Sequence, residues 1–273
     1  MTKPTTKPTT KPMTKPMTHT ATEPLPELRP LLELRDVTVD FDGFKALDNL
    51  SFSVQPNTIK VLIGPNGAGK STLCDCVIGK VRASRGAVYY KGRDITHLTE
   101  HKITQAGICR KFQAPGVLEN LSVFDNLVVA VRQQRQWFNS LHGRLTAVER
   151  QRVEDVLERI SLERQRDVQA SHLAHGAKQW LEIGMVIVQD PELLLLDEPT
   201  AGMTAQETAK TAELIRDLVV DHTILVIDHD MSFVELLAAP VSILHQGKLL
   251  IEGDMAEVRH NEEVINVYLG RSH

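Results

Sequence analysis

The chain has 273 residues, 42% hydrophobic and only 4% aromatic, enough for one large or two small domains with a substantial core. Lys and Arg total 31 against 35 for Asp and Glu, and the formal charge of −4 argues against a dedicated nucleic-acid binder. Three cysteines, Cys74, Cys76 and Cys109, are an odd number, which points to a reducing, cytoplasmic setting rather than a disulfide-stapled secreted fold.

Residues 2–17 read TKPT TKPT TKPM TKPM, a period of four whose prolines forbid helix ladders and whose threonines and lysines offer nothing to bury. A disordered tail over 1–30 with polyproline II character is expected, and residues 1–17 lack the apolar region of a signal peptide. Five basic residues there (Lys3, Lys7, Lys11, Lys15, Arg29) face two acidic ones (Glu23, Glu27), so the tail carries +3 and the folded domain expected over 31–273 carries −7. The tail is read as a solvated linker, with its lysines as candidate contacts for anionic lipid.

From residue 31 the pattern changes to short β-prone runs. Leu32, Leu34, Val37, Val39 and Phe41 alternate over 32–41, followed by runs at 47–54 and 59–63, with turns at Asp42-Gly43 and Pro56-Asn57. A glycine-rich loop then leads into a helix predicted over 71–78. Residues 122–165 are helix-rich and charged, with Val148, Val153, Val156, Leu157 and Ile160 at helical spacing, and a helical subdomain is expected over approximately 114–190. Beyond it, strands at 193–197, 223–227 and 241–244 alternate with helices at 206–219 and 231–238. The sum is an α/β fold: a parallel-sheet core, an antiparallel β subdomain and a helical subdomain. The densest apolar stretches, 181–188 and 193–196, are too short to span a bilayer, so a membrane role would have to be supplied by other chains.

Gly64-Pro65-Asn66-Gly67-Ala68-Gly69-Lys70-Ser71-Thr72 fits the phosphate-binding pattern G-x-x-x-x-G-K-[ST], after an apolar strand and before a helix. The glycines let backbone N–H groups turn inward around phosphate oxygens, and the helix start adds its positive dipole end. Lys70 supplies charge for the β and γ phosphates, and Ser71 a hydroxyl for Mg²⁺. Such a loop needs a carboxylate for the metal, which Asp197 provides at the end of four consecutive leucines, Leu193 to Leu196. Glu198, the next residue, is placed to orient an attacking water or take its proton. The chain is thus expected to be a P-loop ATPase.

Further elements follow in order: Phe41, Gln113 within Arg110-Lys111-Phe112-Gln113, Leu173-Ala174-His175-Gly176-Ala177 starting 24 residues before Asp197, and His229 within Ile227-Asp228-His229-Asp230. With them the chain resembles the ATP-binding subunit of an ABC transporter over residues 31–270. The resemblance implies that Phe41 stacks on adenine and that Gln113 and His229 sense the metal and the γ-phosphate. It also implies that residues 173–177 form the signature completing a partner's site. Segments 107–113, 178–185, 201–204 and 267–270 resemble the branched-chain amino acid branch of importers, and within it the urea-transporter type. The resemblance implies ATP and Mg²⁺ as cofactors, a second ATPase subunit in a homo- or heterodimer, two membrane permeases and an external binding protein. Location is then peripheral, on the cytoplasmic face of the inner membrane. Urea or a short amide is the expected cargo, a branched-chain amino acid the alternative; a soluble ABC ATPase or a regulatory ATP-binding module stands as the reading from another class.

The signature departs from the family's Leu-Ser-Gly-Gly-Gln at Ala174 and Ala177, which removes the serine hydroxyl. A hydrogen bond to a charged group is worth about 1.5–3 kcal/mol, so one of two composite sites is expected to be weaker. Cys74 and Cys76, at i and i+2, do not share a helical face and are read as small buried residues; His97 and His101 are read as surface histidines, and Trp137 and Trp180 as packing residues. Residues 121–131 are the expected groove for a permease's cytoplasmic helix.

Overall fold

A computed structural model describes residues 1–2, 29–111, 116–132 and 145–269; the repeat tail, Gln113 and Trp137 lie outside these. The first described elements are the hairpin β1 (Leu32–Phe41) and β2 (Phe44–Val54), then β3 (Ile59–Ile63) and helix α1 (Lys70–Val77). Next come β4 (Arg85–Tyr90), β5 (Arg93–Asp94), α2 (Glu100–Gln105) and β6 (Ile108–Arg110). The helical stretch holds α3 (Val123–Arg132), α4 (Ala147–Arg159) and α5 (His175–Ile187). The rest is β7 (Leu193–Asp197), α6 (Ala205–Leu218), β8 (Thr223–Ile227), α7 (Met231–Leu237), β9 (Val241–His245), β10 (Lys248–Gly253), α8 (Met255–His260) and α9 (Glu262–Leu269).

Two sheets result. One is antiparallel with order β2-β1-β4-β5; the other runs β10-β9-β3-β8-β7-β6 and is parallel except for the terminal β10. The central strands are apolar at nearly every position because both faces are covered. Val61, Ile63, Leu194, Leu196, Ile224 and Val226 face the core shared with α3 to α7, whereas Leu62, Leu193, Leu195, Leu225 and Ile227 face the core shared with α1 and the antiparallel sheet. The period of two places Asp197 and Arg110 on the α1 side, as extensions of Leu195 and Ile108.

The predicted strands at 32–41, 59–63, 193–197 and 223–227 coincide with β1, β3, β7 and β8, and the helices differ by a residue at their ends. Four strands were not anticipated: β4, β5, β6 and β10. Val148 corrects the helical reading, since it is 72% exposed while Val153, Val156, Leu157 and Ile160 are buried. The buried four fall at i, i+3, i+4 and i+7, and Val148 lies five residues before the first, off that stripe. His97 and His101 are exposed, and the Trp180 indole N–H donates to Thr211 Oγ1 at 2.9 Å. All three cysteines are buried; burial pushes the Cys76 and Cys109 thiols up to about 11, and Cys74 higher still.

Helices α3, α4 and α5 meet at Gly184. A Cβ there would lie 2.7 Å from Ile160 Cδ1, 3.2 Å from Leu127 Cδ2 and 3.4 Å from Val156 Cγ1. Gly184→Val is expected to destabilise the fold by roughly 1–3 kcal/mol in urea unfolding, because a branched side chain overpacks the junction. Gly184→Ala should cost less, since the flexible ends of Ile160 and, by a few tenths of an ångström, Leu127 have to move while the helix gains about 1 kcal/mol of propensity.

Candidate active site

The strand register assembles the site. Ile227 of β8 pairs with Leu62 of β3 on one side and with Asp197 of β7 on the other, so the residues leaving these strands emerge at one end of the sheet. These are the loop 64–72, Glu198, and Asp228 with His229. Asp197 is not on the strand next to the loop: β8 stands between β3 and β7.

The loop is shaped by close backbone approach. Gly69 has φ +107° and caps α1, and a Cβ on it would lie 2.5 Å from the Ala46 carbonyl oxygen of β2; a Cβ on Gly64 would lie 2.3 Å from the Leu244 oxygen of β9. Side chains at these positions would displace the loop from both sheets. Ala68 N donates to Pro65 O at 3.1 Å, tightening the turn, while Asn66, Gly67 and Ser71 are exposed and Thr72 is half-buried. Lys70 folds back, its ammonium donating to Gly64 O at 2.7 Å and Pro65 O at 3.1 Å. Burial lowers its pKa, and the nearby charges of Glu198, Asp197 and Asp228 oppose that.

Glu198 and His229 are brought together, with His229 Nδ1 3.3 Å from Glu198 Oε1. Glu198 sits at φ +45°, a left-handed conformation uncommon for a side-chain-bearing residue, and its N–H donates to Ile227 O at 2.8 Å. The His229 imidazole is 63% exposed, on a rigid footing. Asp228 beneath it is 2% exposed and accepts from the N–H of His229 at 2.7 Å, the N–H of Asp230 at 3.0 Å and the Thr200 hydroxyl at 3.1 Å. Burial nevertheless raises the Asp228 pKa. Asp228 and Thr200 were missed from sequence; the signal was an acid between an apolar strand and the histidine.

Asp197 has a partner that sequence reasoning also missed. Arg110 of β6 donates through Nη2 to Asp197 Oδ2 at 2.7 Å and through Nη1 to Asp75 Oδ1 of α1 at 2.6 Å. Its side chain is 9% exposed. The adjacent Lys111 is buried and reaches Gln179 and Glu182 of α5, the latter at 3.6 Å; burial lowers its pKa. Gln113, two residues on, lies outside the described residues.

Phe41 and Phe44 pair across the tip of the first hairpin, 48% and 65% exposed, around a turn with positive φ at Asp42 and Gly43. Three residues after Phe44, Leu47 packs its Cδ2 3.0 Å from a Cβ built on Gly69, so the hairpin leans on the phosphate loop. Phe44 was not singled out from sequence.

In the signature stretch, Leu173, Gly176 and Ala177 are buried, and exposed Ala174 is the N-cap of α5 with no side-chain cap bond. His175 Nε2 lies 2.9 Å from Ala201 O, and Gly176 lies against the Glu207 carboxylate. These residues contact the segment 201–207 that follows Glu198. The two alanines differ: Ala174 leaves helix-start N–H groups open, whereas Ala177 fills part of the core.

The hydroxyl of Ser71 and the carboxylate of Asp197 are hard oxygen donors of the kind Mg²⁺ prefers, and Arg110 bonds to only one of the two Asp197 oxygens, so the residues fit that ion.

The profile of the family described as ABC transporter matches residues 47–201, and that of the branched-chain amino acid ATP-binding cassette transporter matches 248–273. The chain is 36% identical to the high-affinity branched-chain amino acid transport ATP-binding protein LivG of Salmonella typhimurium over 253 residues, covering 89% of this chain and 99% of that one. It is 33% identical to BraF of Pseudomonas aeruginosa, with the same coverage. Among solved structures, a nucleotide-free ATP-binding cassette from an ABC transporter is similar at TM-score 0.78 and 27% identity, over 88% of this chain and 99% of that one. The ADP conformation of an ABC transporter cassette is similar at 0.79 and 27%, over 89% and 100%. A shared fold, a phosphate loop with its two carboxylates, and matches along most of the chain lead to one conclusion: the chain belongs to the ABC transporter ATPases, ATP-binding and ATP-hydrolysing proteins, in the branched-chain amino acid branch.

Proposed function

We propose that this chain is an ATPase subunit of an importer for branched-chain amino acids, working as one of two cassettes beneath two membrane permeases fed by an external binding protein. The observation that carries the cargo is the near full-length match to LivG and BraF, joined to the C-terminal profile over 248–273. It favours branched-chain amino acids over the urea or short amide expected from segment resemblance. No described helix is long and apolar enough to cross a membrane, and the proposed place is peripheral, on the cytoplasmic face. Helix α3, with exposed Leu118 just before it, is the proposed seat of a permease helix.

In the proposed chemistry, Lys70 exchanges the Gly64 and Pro65 carbonyls for β and γ phosphate oxygens, alongside inward N–H groups of the loop. Phe41 stacks on adenine. Ser71, Asp197 and Gln113 would hold Mg²⁺, which when bound neutralises charge on the phosphates. Glu198 orients water or takes its proton, and His229, 3.3 Å away, meets the γ-phosphate. Residues 173–177 complete the partner's site, where Gly176 and the α5 start supply backbone donors in place of the missing hydroxyl.

Glu198→Gln should bind ATP normally, lose hydrolysis and accumulate as a closed dimer in size-exclusion chromatography; turnover at the wild-type rate would remove Glu198 from the catalytic role. Ala174→Ser should restore a helix cap, raising stability by about 1 kcal/mol in thermal unfolding. In the assembled transporter it should also strengthen ATP binding at the site it completes, and unchanged nucleotide affinity would make the alanine neutral there. Cargo is tested by reconstituting the chain with its permeases and binding protein: leucine should stimulate ATP turnover and urea should not, and the reverse pattern would reinstate urea.

A further inference from the structure

Arg110 joins three elements. Its β6 strand pairs Arg110 with Leu195, two residues before Asp197 on the same face of β7. Asp75 lies four residues after Ser71 on α1, on the same helical face as the hydroxyl proposed for the metal. The guanidinium therefore spans the side of the phosphate-loop helix that carries Ser71 and the strand end that carries Asp197, with bonds of 2.6 and 2.7 Å.

Three features set this pairing apart from a surface ion pair. The Arg110 side chain is 9% exposed and that of Asp197 15%, so each charge depends on its partners rather than on water. Among the described residues, Arg110 Nε is buried without a hydrogen-bond partner, a cost that a purely stabilising arrangement would avoid. Lys80 Nζ also stands 3.9 Å from the Asp75 oxygen that Arg110 binds, so two carboxylates already face two cations and any further cation at Asp197 meets a cluster whose charge is balanced.

We infer that Arg110 is a positioning residue that sets the metal affinity of the nucleotide site: it orients the Asp197 carboxylate through Oδ2 and opposes the divalent cation drawn to the other oxygen, with Asp75 drawing off part of its charge. Two cations on one carboxylate stand a few ångström apart, where their repulsion in a partly buried setting is ample for a tenfold change in binding. Asp75 thereby controls how much of Arg110 bears on Asp197. The inference rests on the proposed metal role of Asp197.

The test uses the full chain with ADP and Mn²⁺, whose free ion is counted by electron paramagnetic resonance. Arg110→Gln should bind Mn²⁺ about tenfold more tightly, and Asp75→Asn several-fold more weakly, because Arg110 then turns its whole charge on Asp197. Opposite signs from the two ends of one bridge are the mark of charge tuning; a structural brace would weaken binding in both. Equal or weaker binding in Arg110→Gln overturns the inference, given metal-free ADP affinity and urea unfolding like the wild type. Should Arg110→Gln not fold, Asp75→Asn alone decides, since unchanged or tighter binding there also overturns it. Asp197→Asn tests the underlying reading separately: it should lose at least tenfold in Mn²⁺ affinity, and no loss would reject Asp197 as a metal-holding group rather than the tuning by Arg110.

Discussion

The parallel alignment of β3, β8 and β7 is the constraint on which the site depends. Ile227, paired with Leu62 and with Asp197, brings three strands to an end at one level, where Asp197, Glu198, Asp228 and His229 stand and from which the loop 64–72 departs. Alternation along these strands then sorts the side chains, sending Asp197 toward α1 with Leu193 and Leu195. A slip of one residue in β7 would turn Asp197 away from α1 and bury a charge against α5 and α6 instead. Four identical leucines fill both faces and would tolerate either register, so the register is marked by the charge of Asp197 and its bond to Arg110.

Backbone closeness does for the phosphate loop what side chains do for the strands. Gly64 meets Leu244, Gly69 meets Ala46, and Gly247 also lies on Ala46, so both sheets press on one loop without an intervening side chain. The same economy appears at Asp228, whose carboxylate is spent on the N–H groups of His229 and Asp230. The exposed imidazole is free to meet another molecule because its main chain is tied down.

Much of this was legible in the sequence, for stated reasons. The loop 64–72 and the run Leu193 to Asp197 announce themselves because glycine spacing and uninterrupted apolar length have few other uses. β5 and β6 were invisible because two or three residues show no period, and β6 contains a cysteine and an arginine where a strand pattern wants apolar residues. β10 could have been found from Gln246-Gly247 as a hairpin turn after β9. Arg110 was read only as part of a motif, because its two carboxylate partners lie 35 residues before it and 87 after it. Pairings of that range follow from topology, not from local pattern. Urea as cargo rests on short segments, whereas the match over 89% of the chain is to an ATP-binding protein of branched-chain amino acid transport.

The buried cysteines have a practical side. With Cys76 and Cys109 at about 11 and Cys74 higher, on the order of one thiol in ten thousand or fewer is ionised at neutral pH, and none of the three faces solvent. The three native thiols are therefore expected to react slowly with alkylating dyes and spin labels. A single cysteine introduced on the exposed stretch beside Ala174 would be the one reactive thiol in the chain. The approach of two cassettes could then be followed in real time without first removing any native residue.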